Sequence, residues 1–109
     1  MTDVDGLVEC LLSTGLPVYR YESLKQTSAY LVWSEERSGD GLSGDNVRLE
    51  HTLVCTVDLY TKDTLAAWER EVQRALERYG VANRLNSVQY EPDTKYTHYE
   101  WVVEVVWTL

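Results

Sequence analysis

His51, His98, Cys10 and Cys55 are the side chains of this 109-residue sequence best suited to nucleophilic, acid–base or metal chemistry. His51 and Cys55 fall on one face of a segment with period-two alternation. Four residues of extended chain hold them roughly 13 Å apart at ~3.3 Å per residue, too far for a nucleophile and its base. His98 and Glu100 stand two apart on the last strand. They have the residue types of an acid–base pair or part of a metal site, and a hydrated polar strand face has the same composition. No third orienting group can be placed beside them from the sequence, so no catalytic residue, metal ligand or cofactor-binding residue is assigned.

Phosphate binding is raised by Ser38 to Asp45, SGDGLSGD, where Gly39, Gly41 and Gly44 have the G-x-G-x-x-G spacing of dinucleotide sites. That motif works because its third glycine opens a helix whose amides receive the pyrophosphate. Here a strand follows, and Asp40 and Asp45 repel phosphate where it would sit. A kinase-type glycine loop does join two strands, but the H-R-D and D-F-G triplets are missing. The EF-hand register closed by a bidentate Glu is absent as well. The stretch, including Leu42, is expected to be a mobile acidic hairpin tip that orders against a partner.

Arg70, Arg74 and Arg78 recur every four residues along the outer face of a helix, with Glu71 and Glu77 three residues from Arg74. A solvated helix face is the ordinary reading of such a stripe. The sharper one is a docking strip for acidic patches of a neighbouring subunit, since Arg is favoured at interfaces.

The elements that position these residues follow from periodicity. Val4, Leu7, Val8, Leu11 and Leu12 predict a helix, N-capped by Thr2 or Asp3 and ended at Gly15 and Pro17. Val18–Tyr21 reads as a short strand and Ala29–Arg37 as a longer one. In Val47–Tyr60 one face carries Leu49, His51, Leu53, Cys55, Val57 and Leu59, and the opposite face is polar except Val54, which predicts a long half-buried strand. Asp63 or Thr64 caps a second helix whose inward face is Leu65, Trp68, Val72, Leu76 and Tyr79, closed by Gly80. Leu85–Glu91 and Thr97–Leu109 form a closing hairpin around Pro92-Asp93. The last strand has apolar residues on both sides, which suits a central strand or one covered by another chain. The expected class is α+β: one domain over residues 1–109, a mainly antiparallel sheet of four to five strands, and two helices packed on one face.

Composition bounds the partners. A chain of this length buries somewhat over ~60% of its unfolded surface and needs no disulfide or metal to fold. The formal net charge of -8 opposes long-range attraction to nucleic acid or anionic lipid. Eight Tyr, four Trp and no Phe suit half-covered sheets and subunit contacts. Two cysteines without C-x-x-C spacing read as buried thiols in a reducing compartment. The longest uncharged run, Cys10 to Tyr19, is too short to span a bilayer, so a cytoplasmic protein is expected.

The segments GLPVYRY, VDLYTKD, the helix after it and the closing aromatic hairpin together resemble the small tail-completion or tail-terminator proteins of long-tailed bacteriophages and prophages. The resemblance covers most of the chain, and its most specific phrase is Asp58-Leu59-Tyr60-Thr61-Lys62-Asp63. It implies a ring-forming subunit, a hexamer in the virion, that caps the tail tube and joins it to the head connector. It further implies self, tube and connector proteins as partners, no cofactor, no sequence-specific nucleic acid or membrane binding, and residence in the host cytoplasm and then the virion tail. On this reading Gly39, Asp40, Gly41, Leu42, Gly44 and Asp45, with Arg70, Arg74 and Arg78, are the candidate subunit or partner contacts. Two other classes stay open. One is a small acidic inhibitor that occupies a basic groove, although the acids are spread through every segment. The other is a small metal-dependent hydrolase using His98, Glu100 and His51.

Overall fold

Alternation at period two produces the long strand at the middle of the sheet. In the computed structural model, which describes residues 2–21, 28–38, 50–63 and 65–108, the chain runs α1 (Val4–Leu12), β1 (Val18–Arg20), β2 (Tyr30–Ser38), β3 (Glu50–Thr61), α2 (Ala67–Arg78), β4 (Ala82–Glu91) and β5 (Tyr96–Thr108). The five strands form one sheet in the order β1-β2-β3-β5-β4. Only the β1–β2 pair is parallel. The class is α+β, with a mainly antiparallel sheet and, among the described residues, two helices. Cys55, Val57 and Leu59 of β3 stand opposite Val103, Trp101 and Tyr99 of β5, so the apolar faces of the two strands coincide. β5 lies between β3 and β4, an interior strand with both edges paired. Gly39, Asp40, Gly41, Leu42, Gly44 and Asp45 lie outside the described residues, as do Leu49 and Thr64.

Both helices share one core with the inner face of the sheet. Leu7, Cys10 and Leu11 of α1 and Val72, Ala75 and Leu76 of α2 are buried against Leu31, Trp33, Cys55, Val57, Leu59, Trp101, Val103 and Val105. α1 touches α2, β1 and β5, and α2 touches β4, so the pair reaches toward both edges of the sheet. Asp3 caps α1, its carboxylate accepting from the Gly6 amide at 2.8 Å. Asp3 also bridges to Val106 in parallel register, beyond the last β4–β5 pair at Glu104.

Two expectations are corrected. Leu65 and Tyr79 are not on the inward face of α2: Leu65 is 76% exposed and Tyr79 36%. The helix begins only at Ala67, after a left-handed Ala66 at φ 58°, so extrapolating the helical wheel back to Leu65 fails; Tyr79 is the C-cap, where the wheel ends. β4 starts at Ala82 rather than Leu85, because the polar Asn83 and Arg84 still pair with Val103 and Val102. The opposite face of β3 is also more covered than a half-buried strand implies, since Val54 and Thr56 are both 8% exposed.

Asp63 starts α2 from one turn upstream. Its carboxylate accepts from the amides of Leu65, Ala67 and Trp68, groups at and just before the helix start whose donors need partners. These bonds, led by that from Leu65, hold the carboxyl below its ordinary value of 3.8. A depressed carboxyl stabilises the fold above its unfolded value and loses that contribution as pH falls through the folded one. Asp63→Ala is therefore expected to lower the urea midpoint at neutral pH, with the gap to the parent chain closing in acid. An equal gap at both pH values would exclude this capping role.

Candidate interaction surface

The strand that buries Cys55, Val57 and Leu59 on one side turns Thr56, Asp58 and Tyr60 to the other. No described helix covers that second face. Register places Asp58 opposite Glu100 and Tyr60 opposite His98, which makes Asp58 and His98 diagonal neighbours. His98 Nε2–H donates to Asp58 Oδ1 at 2.7 Å, with the two side chains 19% and 14% exposed. The Asp58 hydrogen bond, opposed by partial burial and aided by the charges of Asp58, Glu100 and Glu91, raises the imidazole above its ordinary value. Glu100, the partner proposed for His98 from spacing alone, instead accepts from the Asn86 amide at 2.8 Å.

Aromatic rings build on this pair. Tyr60 stacks on His98 at 4.3 Å and on Tyr30 at 4.9 Å. Tyr96 meets Tyr30 and Tyr60 edge-on, and Tyr19 meets Tyr30 edge-on. The Lys62 ammonium sits 4.9 Å from the Tyr96 ring centre, within cation–π range. Burial first, then the charge of Asp58, pushes the Tyr60 hydroxyl up to about 12. The result is a firm tyrosine platform at one end of the face, bordered by acids. At its other end Val54, Ala82, Asn83, Arg84, Val102, Val103 and Glu104 line an open depression of about 320 Å³.

The basic stripe lies across the molecule. Val72, Ala75 and Leu76 point α2 into the core, and Arg70, Arg74 and Arg78 occupy the opposite side of the same helix, all exposed. Arg74 pairs with Glu71 at 3.6 Å, and Arg70 donates to the Leu65 carbonyl at 3.0 Å. Glu77, the other neutralising acid expected for Arg74, accepts from Gln73. The acid-rich tyrosine face and the arginine face thus look in opposite directions.

The remaining reactive groups are held apart. Cys10 and Cys55 are free and buried, and burial pushes each thiol up to about 11, away from thiolate chemistry. Among the described residues no group of three or more His, Cys, Asp or Glu side chains is placed to hold a metal ion, and no helix is long and apolar enough to cross a membrane. The His98–Asp58 pair was missed in the sequence because its members are 40 residues apart. The available signal was that both project from the polar faces of two strands that could be neighbours. Compared with models of known protein families and with curated protein sequences, the chain matches none.

Proposed function

We propose that the chain is a structural, non-catalytic subunit that assembles head to tail into a ring, six copies in the virion, and completes a phage tail at its junction with the head connector. The observation that carries this reading is the pair of opposed, electrostatically complementary faces: an arginine stripe on α2 and an acid-bordered tyrosine platform on the far side of the sheet. Different patches on opposite sides of one subunit make heterologous contacts, and heterologous contacts close into rings when the rotation allows. Tyr and Arg are also the side chains enriched where such contacts form. The resemblance of GLPVYRY, VDLYTKD and the closing hairpin to tail-completion proteins supplies the tube and the connector as the surfaces met by the two rims.

The test is negative-stain imaging of concentrated protein beside sedimentation of the parent chain and Arg74→Glu. Closed rings of six are expected from the parent, and smaller species from Arg74→Glu, whose reversed charge repels the acidic platform. Rings unchanged by the reversal would remove the stripe from the contact. A parent chain that never forms rings would overturn the reading. Genes for a connector, a tail tube and a tape measure beside this one would support the same conclusion independently.

A further inference from the structure

β4 ends the sheet, and its outer edge has no strand beyond it among the described residues. Unpaired edges invite another chain unless charge, proline or a cover prevents it. Between Arg84 and Glu91 this edge carries no charged residue and no proline: the sequence is Leu85-Asn86-Ser87-Val88-Gln89-Tyr90. Leu85, Val88 and Tyr90 are large apolar side chains at 38%, 52% and 58% exposure. Their partners on β5 are Trp101, Tyr99 and Thr97, so all three lie on the helix side of the sheet. Parity alone would not align them, since Leu85 and Val88 are three residues apart. The register shift between Leu85 and Ser87 restores the alignment by leaving Asn86 as the extra residue.

We propose that β4 pairs antiparallel with β4 of a second copy, about a two-fold axis at Val88. In that register Val88 meets the second copy's Val88, and Ser87 meets Gln89. The bulge is then passed on both strands, so Leu85 meets the second copy's Tyr90 and Arg84 meets its Glu91. Every pair matches in face and in chemistry: apolar with apolar on the helix side, polar with polar on the other, and opposite charges at both ends of the seam. A strand complementary to its own inverse is matched best by itself, which selects a second copy over an unrelated peptide. The strand's one basic and one acidic end contribute no net charge to the seam, so the net charge of -8 acts on the dimer only as a diffuse, salt-screened repulsion. The contact is isologous and joins copies in pairs, separate from the head-to-tail contacts of a ring.

Sedimentation velocity across micromolar to hundreds of micromolar protein tests the pairing. The parent chain is expected to show a concentration-dependent doubling of mass, of the monomer or of the ring, that tightens with salt. Val88→Lys, at an exposed site, should weaken it about tenfold or more, with circular dichroism confirming that the variant is folded. Arg84→Glu should weaken it, and the double swap Arg84→Glu with Glu91→Arg should recover it. Val88→Cys should form an intermolecular disulfide on mild oxidation, against a low background from the buried Cys10 and Cys55. A parent chain monomeric throughout, dimers indifferent to Val88→Lys, or a charge swap without recovery would each overturn the proposal. Dimers without rings would leave this inference standing while the ring reading fails, and rings indifferent to Val88→Lys with no dimers would do the reverse.

Discussion

Trp101→Ala is expected to remove a large share of the stability of the fold, about 3–5 kcal/mol out of roughly 5–15 for a domain of ordinary stability. Trp101 is fully buried on the interior strand β5, with Val57 beside it on β3 and Leu85 on β4. Its ring lies 6.3 Å from that of Tyr99. Its indole Nε1–H donates to Gln73 Oε1 at 2.7 Å, which ties the sheet to α2. Gln73 is in turn held by the other end of its amide, which donates to Glu77 and to Asn83 at 2.9 Å each. Truncation therefore opens a cavity at the junction of three elements and leaves a partly buried amide oxygen without its donor. Trp101→Phe separates the two effects: it keeps most of the volume and should cost about 1–3 kcal/mol for the orphaned acceptor. Urea unfolding of the three proteins checks this. A loss below about 1 kcal/mol for the alanine variant would show that the site collapses around the missing ring.

Core positions such as Trp101 were legible because they repeat. Leu53, Cys55, Val57 and Leu59 alternate with residues that are polar apart from Val54, and Tyr99, Trp101, Val103 and Val105 recur at every second position of the last strand, so strand identity and inward face follow from period two. The order of elements and the two hairpins followed as well, since short links join antiparallel neighbours. Pairing across long separations did not follow. Nothing in residues 50–61 says that residues 96–108 lie beside them and β4 outside, because that order depends on how two helices cover one continuous apolar face. Leu65 was misplaced because a single left-handed residue, Ala66, shifts the start of α2 and no side chain at that position signals it. The surface proposed for assembly had the same split. The arginine stripe could be read from its spacing of four, whereas the tyrosine platform exists only once β1, β2, β3 and β5 bring Tyr19, Tyr30, Tyr60 and Tyr96 to one end of one face.

The pair at the heart of that platform makes stability depend on pH with a definite sign. Asp58→Ala is expected to cost about 1.5–3 kcal/mol near pH 6, the worth of a charge-assisted hydrogen bond that is mostly shielded from water, and distinctly less near pH 8.5. His98 is raised above its ordinary value of 6.5, chiefly by its hydrogen bond to Asp58. A histidine raised on folding contributes stability that is fully present below its unfolded value and disappears as pH rises through its folded value. Below that window the imidazolium donates to Asp58 and rests against the Tyr60 ring at 4.3 Å, both favourable to a cation. Above it the ring is neutral, and the same contacts hold a weaker dipole. Glu100 and Glu91 act in the same direction as Asp58, so deleting Asp58 alone leaves a residual pH dependence, and His98→Gln should abolish the part of the dependence that belongs to this pair. Urea midpoints of the parent, Asp58→Ala and His98→Gln at the two pH values measure it. The parent should lose stability relative to both variants on going from pH 6 to 8.5, and curves that stay parallel would mean that folding leaves the titration of His98 where it is in the unfolded chain. The same titration bears on assembly, because the neutral form leaves the charge of Asp58 unopposed on the face proposed to receive Arg74, so ring formation should strengthen over the pH range in which the subunit itself weakens.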